Sequence, residues 1–92
     1  INPIYEQHGL LENRTFGTGH SFGIMGYWYG RDELGEIRPY NDYVLQPNMV
    51  MSMEPMISVD GIGGFKHADM FLITENGNEP LTRFRNDVIV ID

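Results

Sequence analysis

Residues 49–59, MVMSMEPMISV, alternate as an extended strand would, with Met49, Met51 and Met53 on one face and Val50, Ser52 and Glu54 on the other. Residues 65–74, FKHADMFLIT, predict a second strand. The DGIGG stretch at 60–64 is turn chemistry between the two, and the Asn76-Gly77 step beyond suits a tight hairpin turn. Short apolar pieces at 81–84 and 87–91 add strand fragments. Upstream, Asn2-Pro3 predicts a helix N-cap with proline in the first turn, continuing through Ile4, Tyr5, Gln7 and His8 to a stop at Gly9. Residues 10–16 connect to a strand. The aromatic run from Gly19 to Gly30 is β-prone but broken by glycines, which predicts one bent strand plus a loop. From Arg31 to Asn48, prolines, charges and Asn predict a long surface loop anchored by Val44 and Leu45. The sum is one partial helix and three or four antiparallel strands, an α+β pattern too small to cover both faces of a sheet. An exposed apolar face of this kind predicts self-association as a dimer.

Composition narrows the function classes. Ninety-two residues make one domain at most, with a small core. Thirteen acidic residues against six Lys and Arg give a net charge of −7, which leaves no basic face for a phosphate backbone, so nucleic acid is not an expected partner. No apolar run approaches the roughly 20 residues that cross a bilayer, and the first residues lack a signal-peptide pattern. The absence of cysteine removes disulfides, thiolate metal sites and a cysteine nucleophile, and fits a cytoplasmic enzyme. The chain opens at Ile1 inside what reads as a helix, the mark of a fragment.

Three residues carry the strongest chemistry. Glu54 stands in a Met- and Val-rich strand, where a carboxylate is costly to desolvate unless a cation, a metal or a hydrogen-bond donor meets it. Pro55 beside it removes a ladder donor and holds Glu54 extended. His20 lies between Gly19 and Ser21, small neighbours that let a ligand or another backbone approach; the plainer reading is a structural histidine. Arg31 follows Tyr27, Trp28 and Tyr29 and is suited either to a carboxylate ligand or to a salt bridge with Asp32, Glu33 or Glu36. Lys66, His67 and Asp69 form a polar cluster in which His67 and Asp69 share a face and Ala68 points the other way, or else simple sheet-edge polarity. One firm His and one firm Glu do not make a metal site. Ser21, Ser52 and Ser58 lack a nucleophile elbow, and GTGHSFG lacks the strand-to-helix context of a dinucleotide loop.

Together, GTGHSFG at 17–23, WYGR at 28–31, LQPNMVMSMEP at 45–55 and LITENGNEPLT at 72–82 resemble, in order and spacing, the last quarter of the creatinase/prolidase/methionine aminopeptidase superfamily, most closely its creatinase branch. The resemblance covers essentially all 92 residues. It implies that residues 1–92 are a single partial domain, the C-terminal portion of a pita-bread fold with a curved antiparallel sheet and a short N-terminal helix. It also implies a metal-independent hydrolysis of creatine to sarcosine and urea in a homodimer whose sites draw on both subunits. On that pattern Arg31 holds the creatine carboxylate, Glu54 bonds the guanidinium, and His20 lines the pocket and is this chain's one candidate base. The main catalytic histidine and a further glutamate belong upstream. The rival within the superfamily is a peptidase of the prolidase or aminopeptidase P kind, or a lyase, with two divalent ions (Mn, Zn or Co). Its last ligand, a glutamate fourteen residues after Glu54, falls here on Ala68, so the metal reading rests on His20, Glu54 and one of His67 or Asp69. A non-catalytic binding module of the same fold is the third reading.

Overall fold

The computed structural model describes residues 1–15, 17–23, 36–84 and 86–92. Helix α1 spans Asn2–Gln7 with Pro3 in its first turn. Its cap is Ile1 rather than the expected Asn2, because the Asn2 Oδ1 instead accepts a hydrogen bond from Arg14 Nη1 at 2.9 Å. At the other end Gly9 adopts φ +65°, so its N–H reaches the Glu6 carbonyl and that of Leu10 the Tyr5 carbonyl, closing the last turn. A 3₁₀ turn at Leu11–Asn13 then redirects the chain.

Seven strands follow: β1 (Gly19–Ser21), β2 (Glu36–Ile37), β3 (Val50–Met53), β4 (Met56–Val59), β5 (Gly63–Lys66), β6 (Asp69–Thr74) and β7 (Gly77–Pro80). A five-stranded antiparallel sheet has the order β2-β1-β3-β6-β7, and β4 pairs with β5 in a second sheet. Both β3 with β6 and β4 with β5 keep one register, so 50–59 against 63–72 is a single ribbon, interrupted where Glu54 and Pro55 face Ala68 and His67. The expected strands 49–59 and 65–74 are therefore each split at that step. Proline has no N–H to give the ladder. The Pro55 carbonyl still accepts from the His67 N–H at 3.3 Å, and the Glu54 N–H turns to the Thr18 carbonyl at 2.7 Å.

Other differences have similar causes. The expected 31–48 loop contains β2, a two-residue strand created by its pairing with β1. Strand β5 begins at Gly63, inside the expected turn, because it continues the ribbon register. The hairpin turn is Glu75 and Asn76, one step earlier than expected, since Thr74 pairs with Gly77. The 81–84 and 87–91 segments form no strand in the described residues; Leu81 is held by its N–H on the Met70 carbonyl.

Strand pleating divides the five-stranded sheet into two faces. The register puts Glu36, His20, Ser52 and Met70 in a row on one face, and Ile37, Met51, Met53, Phe71 and Asp69 on the other. The second face is apolar and holds a cavity of about 290 Å³ between Ile37, Leu45, Met51, Met53, Phe71 and Ile73. Met51, 2% exposed, is the fully buried large apolar residue of the described core. At the edge of β6, His67 Nε2 lies 2.6 Å from Asp69 Oδ2 and the Thr82 hydroxyl donates to Asp69 Oδ1, clasping the chain beyond β7 to the sheet.

Two outcomes test this architecture. A Cβ on Gly19 would lie 1.9 Å from the Ser52 carbonyl oxygen and 3.2 Å from the Met53 Cα, backbone atoms that cannot yield. Gly19→Ala is expected to cost about 2–3 kcal/mol or more in denaturant unfolding, because overpacking here must separate β1 from β3. The Asp69 carboxyl titrates below its ordinary value because Thr82 and His67 hydrogen-bond to it. A depressed folded pKa stabilises at pH above the unfolded value and is lost as pH falls through the folded one. Thr82→Val removes a donor and is expected to raise the pH at which acid unfolding sets in.

Candidate active site

The site grows from the row of polar groups on one sheet face. His20, Glu36 and Ser52 are each at most 5% exposed, although each is polar. Glu36 receives Arg38 Nε at 2.7 Å on Oε2, and its carbonyl accepts from Asn41 Nδ2 and the Tyr43 hydroxyl at 2.6 and 3.1 Å. Burial, and then the charge of Glu36, raise the Tyr43 phenol above its ordinary pKa, so it stays a donor. Gly17 leaves the room that Arg38 occupies, since a Cβ there would meet the guanidinium carbon at 2.7 Å.

Glu54 stands where β3 ends, with its main chain pinned to Thr18. Its Oε1 accepts the Ser52 hydroxyl at 2.8 Å and its Oε2 lies 3.0 Å from Lys66 Nζ. Burial pushes the carboxyl up, but hydrogen bonds from Lys66 and Ser52, with the charges of Lys66 and His20, outweigh it, so Glu54 titrates below the usual carboxylate value. The donors that the sequence demanded for this residue are thus supplied within the chain.

His20 faces the same carboxylate, with Nε2 3.5 Å from Glu54 Oε1. Its Nδ1 lies 2.7 Å from the Ser21 carbonyl oxygen. A carbonyl only accepts, so Nδ1 carries the hydrogen and Nε2 of the neutral ring can accept one.

The structure brings His20 and Glu54 together and separates them from the other metal-ligand candidates. Across the ribbon, the position facing Glu54 is Ala68, a methyl group. Asp69 lies on the apolar face with Met53, and His67 turns to Asp69 rather than to Glu54. No three His, Cys, Asp or Glu side chains among the described residues form a set suited to a metal ion. His20 and Glu54 stand together, and Glu54 also pairs with the Lys66 ammonium. Arg31 lies outside the described residues.

Sequence reasoning missed Glu36, Ser52 and Lys66 as neighbours of the site. Ser52 had a usable signal, since it shares the Glu54 face two residues away. Lys66 was read with His67 and Asp69, whereas the pleat sends it the other way. Glu36 carried no signal, because its burial depends on pairing with β1.

Comparison with known proteins places this arrangement. The profile of metallopeptidase family M24 matches residues 1–75. The creatinase of a Bacillus species (strain B-0618) is 49% identical over 88 residues, covering 91% of this chain and 21% of that protein. The Xaa-Pro dipeptidase of Pyrococcus horikoshii is 31% identical over 86 residues, covering 94% of this chain and 23% of that protein. Among solved structures, the prolidase from Pyrococcus horikoshii superposes with a TM-score of 0.82 at 30% identity, over 96% of this chain and 24% of its own. Dipeptidase PepE from Mycobacterium ulcerans gives 0.83 at 25% identity, over 96% of this chain and 22% of its own. The chain thus spans between a fifth and a quarter of the length of these relatives. Its antiparallel sheet and short helix are a portion of their pita-bread fold. On the family profile and these identities, the chain belongs to metallopeptidase family M24.

Proposed function

We propose that the intact protein is a creatinase-like hydrolase that cleaves creatine with water to sarcosine and urea. The observation that carries this reading is the half-buried Glu54 carboxylate, kept charged by its neighbours, with Nε2 of the buried His20 3.5 Å from its Oε1. A guanidinium is planar, cationic and rich in N–H donors, so it suits such a carboxylate. The 49% identity to a creatinase, against 31% to a dipeptidase, supports the same choice. So does the Ala68 methyl beside Glu54, where a dimetal peptidase would place its last carboxylate ligand.

In this reading Glu54 holds the cationic end of creatine and Arg31 its carboxylate. The bond that breaks joins the amidino carbon to the sarcosine nitrogen, and water oxygen becomes the urea oxygen. His20 is the acceptor on this chain for a proton from water or substrate, and the departing nitrogen takes up a proton. The remaining proton-transfer groups come from outside these residues. The enzyme of this reading is a cytoplasmic homodimer that needs no metal.

The test is direct. The intact protein, after dialysis against a chelator, is expected to release sarcosine and urea in equal amounts from creatine. Glu54→Gln is expected to lower kcat/KM by about 10²-fold or more, the scale of a lost transition-state contact or proton transfer. Hydrolysis of Xaa-Pro dipeptides that depends on added Mn, Zn or Co, with no creatine turnover, would replace this reading by the peptidase one. Creatine binding without turnover would make the protein a binding module.

A further inference from the structure

The proposed reaction makes no use of Lys66, the one lysine of the chain, although its ammonium lies 3.0 Å from Glu54 Oε2. Lys66 pairs with Met56, two residues past Glu54, so it reaches the carboxylate diagonally across the ribbon. Diagonal neighbours stand about 7–8 Å apart, a distance that a long side chain spans. Ala68, directly across from Glu54 on the same face, carries only a methyl group. The other oxygen, Oε1, takes the Ser52 hydroxyl at 2.8 Å and has His20 Nε2 at 3.5 Å.

We propose that Lys66 is a positioning residue that holds Glu54 by Oε2 and leaves Oε1 as the single oxygen offered to substrate. The inference rests on the hydrolytic reading above and deepens it. With Oε2 taken, Glu54 does not grip a guanidinium as a two-oxygen fork. It receives one N–H on Oε1, beside the Ser52 hydroxyl, which sets the tilt of the cationic group in the pocket. The ammonium comes from the ribbon itself, so the register that runs past Pro55 also places it against Glu54.

The experiment uses the intact protein with Lys66→Met, Lys66→Arg, Lys66→Gln and Glu54→Gln. Lys66 is partly exposed, so methionine and glutamine fit its place, and two neutral variants guard against one that fails to fold. The ¹⁵N signal of the Lys66 ammonium, identified by its loss in Lys66→Met or Lys66→Gln, is expected to move in Glu54→Gln. Both neutral variants are expected to lower kcat on creatine about 10- to 100-fold, the scale of a misplaced reacting group, and Lys66→Arg to restore most of it. An ammonium signal indifferent to Glu54→Gln overturns the proposal. So do neutral variants with wild-type kcat and KM, and so does an arginine variant as impaired as the neutral ones. A wild-type protein that does not turn over creatine overturns the hydrolase reading instead; the ammonium signal then decides the Lys66 assignment by itself.

Discussion

A carboxylate set into an apolar ribbon is the constraint around which this structure is arranged. Desolvating Glu54 without partners would cost several kcal/mol or neutralise it, and each neighbouring element supplies part of the remedy. The strand that carries it gives the Ser52 hydroxyl, the returning strand gives Lys66, and β1 gives His20. The Thr18 carbonyl fixes the Glu54 backbone from the β1 side. That contact demands close approach of β1 and β3, which only a residue without a Cβ allows at Gly19. One half-buried charge therefore accounts for a glycine on a different strand, a serine two positions back and a lysine twelve residues on.

The two faces of the sheet divide the labour. The apolar side, around Met51 and Phe71, contributes burial, and the polar side contributes directed groups. Pleating keeps these functions apart at no cost in chain length. It also explains why His67 and Asp69, adjacent to Lys66 in sequence, serve a different purpose: they clasp the segment beyond β7 through Thr82. A polar cluster in sequence becomes two separate devices once side chains alternate.

This is also where legibility ended. The alternation of 49–59, the helix stop at Gly9 and the need of Glu54 for partners were readable, because periodicity, turn chemistry and desolvation act locally. Strand β2 was not, since Glu36 and Ile37 sit in a charged stretch and become a strand only by meeting β1. The Lys66 contact depends on a register that runs unbroken past a proline, a fact about two segments at once. The run VIVI at 88–91 illustrates the converse: it has strand composition, yet those residues are exposed and unpaired in the ladder. Apolar content proposes a strand, but an available edge decides it.

The charge arrangement bears on what the polar face can accept. Glu36 has Arg38 and Glu54 has Lys66, so each carboxylate there already carries a fixed cation. Among the described residues these two ion pairs balance the charge of the face, so what it accepts is set by where its donors and acceptors point more than by net attraction.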